Sequence, residues 1–325
     1  MDREFLAEKA YPWIKDVAIF LDQVAVKEDD KRKLPISSSP EIFDNSRKAW
    51  FDETTNFDLA LIRWTYEKAA EMALELNRND EAQKWEQILS EWPELAVDPK
   101  TGLMFSPKVP YDQSHRHFSH LMAFHPLGLI DFSNGEEDKE IIRNTIKNLA
   151  KVGPDYWTGY SYSWQANLYA RAFEGEKAAE ALRIFAECFC LKNSFHVNGD
   201  QCKAGYSKMT YRPFTLEGNF AFASAVQEML IQSHTGVVKL FPAIPANWQD
   251  VSFSTLRTRG AFLVSATMEN GRINNVEITS KKGGEIVLEN PFDNVEFLCD
   301  KEFEMDGQFI KLNLAEGEKA MIVRE

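Results

Sequence analysis

The sequence predicts a mainly α-helical chain closed by an all-β domain, and three observations lead to that fold class. Apolar residues recur at three- and four-residue spacing up to about residue 233. Beyond His234-Thr235-Gly236 the spacing drops to two. The intervening segments hold Pro93, Pro99, Pro107, Pro110, Gly153 and Pro154, which end helices and bend loops.

Taken in order, the run Phe57-Asp58-Leu59-Ala60-Leu61-Ile62-Arg63-Trp64-Thr65-Tyr66 begins a helix that extends to Leu76. Further helices are expected to start near Asp80, Ser119, Lys139, Ser161, Glu176 and Glu217, giving seven or eight in all. Helices alternating with long loops suggest antiparallel pairs of an incomplete (α/α)6 toroid; a solenoid would leave a similar trace, but no repeated consensus is visible. Strands follow at Val237–Phe241, Ala261–Ala266, Asn275–Ile278 and Ile286–Leu288, with turns at Asn270-Gly271 and Gly283-Gly284. The expected division is a partial barrel over 1–235 and an antiparallel, sandwich-like β domain over 236–325.

Composition narrows the function. With 325 residues and 44% apolar content the chain can fill one large and one small core. Its net charge of -13 repels phosphate backbones and anionic lipid, so neither nucleic acid nor membrane is an expected partner. No run of 18 apolar residues occurs, and Met1-Asp2-Arg3-Glu4-Phe5-Leu6 lacks the apolar core of a signal peptide, which leaves the compartment unknown. Cys188, Cys190, Cys202 and Cys299 are few for this length and are expected to be reduced, structural thiols.

Two carboxylates stand out. Glu41 ends Ser37-Ser38-Ser39-Pro40-Glu41, a proline-fixed loop with hydroxyls beside it, although Ser-x-x-Glu is also the pattern of a capping box. Glu217 opens a helix, where a carboxylate suits the positive terminus with or without a catalytic task. A glycosidase needs such a pair, one acid and one group acting on water. His115, His117, His120 and His125 have a spacing that could ligate a metal, yet no carboxylate or thiol completes a cage, and the fixed charge of Arg116 opposes a cation. His115, Arg116 and His117 suit sugar hydroxyls better, so no metal or other cofactor is expected. Trp164 and Asn167 share a helix face on which a sugar could stack, with core packing as the plainer reading. Arg212 and Asn219 flank Glu217 and join the candidate substrate-binding set.

Together the segments Ser39-Pro40-Glu41, His115-Arg116-His117-Phe118-Ser119-His120-Leu121, Gly159 to Arg171, Glu217-Gly218-Asn219-Phe220, Gln232-Ser233-His234-Thr235-Gly236 and Leu240-Phe241-Pro242-Ala243-Ile244-Pro245 resemble the second half of a family 95 glycoside hydrolase. That family contains α-L-fucosidases and α-L-galactosidases. The resemblance implies an (α/α)6 barrel with a C-terminal β domain, a metal-free inverting reaction and a glycan substrate. It makes Glu41 the general acid, with a pKa raised by its pocket, and places Glu217 where the family has an aspartate supporting a water-activating asparagine. His115, Arg116, His117 and Trp164 would line the sugar subsite. It also implies that an Asn-x-Asn pair, half the barrel and an N-terminal β domain lie outside this chain, and that an export signal would lie upstream. A non-catalytic carbohydrate-binding chain, or another (α/α)6 glycosidase or phosphorylase, stays open as an alternative.

Overall fold

The structure is a computed structural model describing residues 2–292 and 295–325. Two compact units divide it, Asp2–Ser161 with Lys203–Thr210, and Tyr162–Cys202 with Tyr211–Glu325. Seven α-helices of more than one turn occur among the described residues, followed by β sheets.

The first unit holds α1 (Tyr11–Val24), α2 (Asn56–Glu75), α3 (Asn79–Ser90) and α4 (Glu136–Val152). Helix α2 starts at Thr55, whose hydroxyl accepts the Asp58 N–H at 3.3 Å, the usual relief for an orphan donor at a helix start. Tyr11, Ile14 and Ala18 of α1 pack with Leu59, Ile62 and Tyr66 of α2 and Trp85 of α3 in one core. Each of the larger apolar side chains here, fully buried, contributes about 2 kcal/mol of burial free energy. The hairpins β1 (Val26–Glu28) with β2 (Lys31–Lys33) and β3 (Val97–Asp98) with β4 (Gly102–Leu103) fill the loops.

Helix α5 (Gly159–Arg171) spans the division, and α6 (Gly175–Cys188) and α7 (Glu217–Leu230) lie in the second unit. The long helix expected from Phe57 to Leu76 is α2, and α1 is a helix that the periodicity reading had not marked. The helix expected near Ser119 is instead a single 3-10 turn, Ser119–Leu121. There the chain closes short turns, Phe124 N–H to Leu121 and His125 N–H to Leu121, and Pro126 then offers no donor to continue.

The C-terminal region forms two five-stranded sheets. One is ordered β12 (Glu304–Asp306), β13 (Phe309–Leu314), β10 (Gly284–Glu289), β6 (Val237–Leu240) and β5 (Ile231–Gln232). The other runs β11 (Phe297–Cys299), β14 (Lys319–Arg324), β9 (Arg272–Ser280), β8 (Phe262–Glu269) and β7 (Val251–Thr258). Among the described residues all pairings are antiparallel except β6 with β10, which run parallel because a whole hairpin-rich segment intervenes between them. Alternate residues of both sheets, such as Val264, Val276 and Ile322 with Ile286, Leu288 and Ile310, meet in one core, the period-two signature of a sandwich.

The cysteines depart from expectation. Cys188 and Cys202 form a disulfide with Cα atoms 4.9 Å apart, whereas Cys190 and Cys299 are free thiols. The Gln201 N–H donates to the Cys188 carbonyl at 2.8 Å, so the loop returns to the end of α6 and brings the two Cβ atoms within bonding reach.

Candidate active site

Glu41 lies in a loop whose backbone is left-handed at four non-glycine residues, Glu41 (φ 57°), Phe43 (50°), Asp44 (53°) and Asn45 (56°). It is neither a helix first-turn residue nor the end of a capping box. Each such residue costs roughly 1 kcal/mol, so the surroundings must hold the loop in place. Ser37 does so on one side, donating its hydroxyl to Asp58 Oδ2 at 2.6 Å and accepting the Thr55 N–H at 2.9 Å. Ser39 and Ser119 share a buried hydroxyl hydrogen bond of 2.5 Å, tying the Glu41 loop to the histidine segment.

His115 completes the clamp. Its Nδ1 accepts the His117 N–H at 3.1 Å, so its proton resides on Nε2, which donates to the Glu41 carbonyl at 3.1 Å. Burial favours this neutral form by lowering its pKa. With both nitrogens occupied by backbone groups, His115 has no lone pair left for a metal. His120 is fully buried between Phe105 and Tyr111, its ring 4.9 Å from Tyr111 in a stacked arrangement, and desolvation pushes its pKa down to about 3.

The Glu41 carboxylate itself is half exposed and is met by two donors on one oxygen: His117 Nε2 at 2.8 Å and the Arg116 guanidinium. Desolvation pushes this carboxyl upward, but the His117 hydrogen bond and the Arg116 charge outweigh it and hold the pKa below the ordinary value. The raised pKa implied for an acid is thus absent from this arrangement, because the same two residues expected to bind sugar are neutralising the carboxylate. Arg116 is positioned in turn by Ser161, whose hydroxyl donates to its carbonyl at 2.8 Å.

The second cluster surrounds the start of α7. Glu217 is exposed, and its carboxylate makes neither a hydrogen bond nor an ion pair among the described residues. What fixes this helix mouth is His196, a residue the sequence reading missed. The imidazole is fully buried, stacks on Phe185 at 5.2 Å and donates Nδ1–H to the Thr215 carbonyl at 2.6 Å. Its backbone N–H donates to Asn219 Oδ1 at 3.0 Å, while Asn219 Nδ2 donates to the Ser194 carbonyl at 2.8 Å. Gly218 lies on the ring face: a Cβ there would fall 2.6 Å from His196 Nδ1, so only glycine fits. A glycine opening a helix was the one sequence signal for this contact.

The remaining candidates lie in the second unit too. Arg212 donates to Gln201 Oε1 at 2.6 Å from the surface. Trp164 is buried at 8% exposure. Asn167 is 1% exposed and brackets α5 to α7, donating to the carbonyls of Ser163 (2.8 Å) and Ala221 (2.9 Å) and accepting from the Ser224 hydroxyl (2.9 Å). Its polar atoms are thus occupied by protein. Glu41, His115, Arg116 and His117 form one constellation in the first unit, and Glu217 and Asn219 share a helix mouth in the second.

The model of the glycosyl hydrolase family 95 catalytic domain matches residues 1–230, and that of the family's C-terminal domain matches residues 232–320. The chain belongs to glycosyl hydrolase family 95.

It is 28% identical over 297 residues to Alpha-L-fucosidase 2 of Arabidopsis thaliana, a match covering 84% of this chain and 33% of that protein. Probable alpha-fucosidase A of Aspergillus niger is 27% identical over 194 residues, covering 56% of this chain and 22% of its own. This chain thus spans a third or less of the curated relatives it matches. A solved family 127 β-L-arabinofuranosidase from Geobacillus stearothermophilus aligns over 84% of this chain and 42% of its own at 10% identity, with a TM-score of 0.23 that carries no argument.

Proposed function

We propose that this chain supplies the acid side of an inverting exo-glycosidase acting on α-L-fucosyl or α-L-galactosyl linkages of a glycan. Residues 1–235 would serve as a partial (α/α)6 catalytic domain and 236–325 as the β domain. The rest of the barrel, with the Asn-x-Asn pair that activates water, would come from a further polypeptide segment. The relatives' fucosidase names and the Glu41 clamp support this reading.

The observation that carries it is that Arg116 and His117 both converge on Glu41 Oε2. With Arg116 and His117 on its oxygen the carboxyl favours the ionised form, as its lowered pKa shows. A sugar whose hydroxyls engage Arg116 and His117 withdraws those two compensating groups and excludes water. Desolvation, the largest single influence on this carboxyl, then raises its proton affinity. Protonated Glu41 donates to the glycosidic oxygen as the C–O bond breaks; water adds to the anomeric carbon from the opposite face and loses its proton to the base side, which Glu217 supports. Trp164, Asn167, Arg212 and Asn219 remain the candidate substrate-binding residues of the second unit.

The test is Glu41→Gln in the complete polypeptide that carries these residues. A poor leaving group such as a sugar needs the acid, so kcat on a fucosyl disaccharide should fall about 10²–10⁴-fold. Turnover of a 2,4-dinitrophenyl fucoside, whose leaving group needs no proton, should fall far less. Equal losses on both substrates would remove Glu41 from the acid role. The lowered pKa favours one other reading, a non-catalytic carbohydrate-binding chain, for which calorimetry would show sugar binding without hydrolysis by any form of the protein.

A further inference from the structure

Within the second unit a cleft of about 440 Å³ lies between the exposed face of α7 and the turn after β5, and the proposed chemistry makes no use of it. Its size falls in the usual range of small-ligand sites. Phe220, Ser224 and Gln227 line one wall. With Glu217 they follow the helical spacing i, i+3, i+7, i+10, so the face that begins at Glu217 continues into the cleft.

The opposite wall carries Arg257, near the end of β7, and Arg259, in the turn that follows it. Both are exposed, and neither makes an ion pair among the described residues, although the chain has 50 acidic side chains against 37 basic. Two guanidinium groups lining one cleft create a local positive potential that an anion would neutralise.

The floor holds an unmet hydrogen bond. Gln232 is 3% exposed; its Nε2 donates to the Ala170 carbonyl at 2.9 Å and the Glu228 carbonyl at 3.0 Å, and its Oε1 has no partner. Beside it the Glu228 carboxylate pairs with buried Arg171 through Nε and Nη2, leaving Arg171 Nη1 unpartnered as well. Gln232 lines the cleft, so its unpartnered carbonyl oxygen is the acceptor that a ligand hydroxyl would satisfy.

We infer that this cleft binds an anionic saccharide, a sugar bearing a carboxylate or sulfate ester. The apolar face of a ring would stack on Phe220, which is 65% exposed; hydroxyls would reach Gln227, Ser224 and Gln232, and the anionic group would sit between Arg257 and Arg259. A neutral glycan would leave the two arginines unsatisfied, and a bare inorganic anion would make no use of Phe220 or Gln232. The placement deepens the family 95 reading by giving the glycan beyond the cleaved sugar an acidic character, but binding can be measured without turnover.

The experiment is titration of the full chain by calorimetry at low salt with tetragalacturonate, maltotetraose and inorganic sulfate. Tetragalacturonate should bind at least about ten-fold more tightly than either control and weaken as salt is added. The doubly substituted R257Q/R259Q chain, both positions being exposed, should keep its Tm and lose about ten-fold in tetragalacturonate affinity, and Phe220→Ala should also weaken it. Equal binding of maltotetraose would overturn the anionic specificity, and equal binding of sulfate would reduce the site to a simple anion patch. No effect of R257Q/R259Q would remove the arginines and with them the inference. Loss of turnover in Glu41→Gln leaves this titration unchanged, so the two proposals fail separately.

Discussion

Glu41 sits in a loop left-handed at four non-glycine residues and has its carboxylate held by two cationic-type donors, whereas Glu217 opens a regular α-helix with an unpaired carboxylate. The first position is held by charge and hydrogen bonds at a half-exposed group. The second is held by shape, through a buried imidazole against a glycine. Acid, salt and removal of a cation should therefore disturb the first, and changes of volume the second.

The largest effect is expected at the helix mouth. His196→Ala removes a fully buried ring stacked on Phe185 and frees the Thr215 carbonyl and Gly218. Truncation of a buried aromatic-sized side chain costs about 3 kcal/mol, so the urea midpoint should drop clearly and amide exchange at 215–219 should accelerate. The loss should be nearly independent of salt. A change below about 1 kcal/mol would show that the mouth of α7 is held by something other than this contact.

His120 gives the next effect, on the Glu41 side. Its folded pKa of about 3 lies below the ordinary 6.5, so the unfolded chain binds more protons in between. Its contribution is complete above the unfolded value and declines as pH falls toward the folded one. Between pH 7 and 4.5 this amounts to about 2–3 kcal/mol of lost stability. His120→Phe, which keeps a ring between Phe105 and Tyr111, should flatten that slope in denaturation curves; an unchanged slope would mean that His120 does not govern it.

The same contrast explains what the sequence could reveal. Periodicity located α2 to within a residue at each end, and alternation found β8 and β9, because burial of one face dictates residue type directly. The His115-Arg116-His117 segment was legible because three donor side chains in a row are rare in a core. The left-handed run at 41–45 was not, since it contains no glycine to announce it and is imposed by Asp58, Ser119 and His115, which hold the loop from distant segments. His196 was hidden for the same reason: its partners are Phe185, Thr215, Gly218 and Asn219, none adjacent in sequence. Pairing of Cys188 with Cys202 likewise depends on how the loop after α6 returns.

The smallest and most diagnostic effect concerns the Glu41 carboxyl. Arg116→Met keeps the length of the side chain and removes its charge, so the desolvation of Glu41 is opposed by His117 alone. The carboxyl should then titrate higher, followed through its ¹³C resonance. Because a lowered carboxyl pKa stabilises the fold only above the folded value and is lost as pH falls through it, the variant should also lose part of the acid-side stability change. Gly218→Ala should leave the same titration where it is while lowering stability, since it perturbs packing at α7 and not the charges on Oε2. If Arg116→Met left the Glu41 midpoint unchanged, the guanidinium would not be what keeps Glu41 ionised, and sugar capture of Arg116 could not be what hands Glu41 its proton.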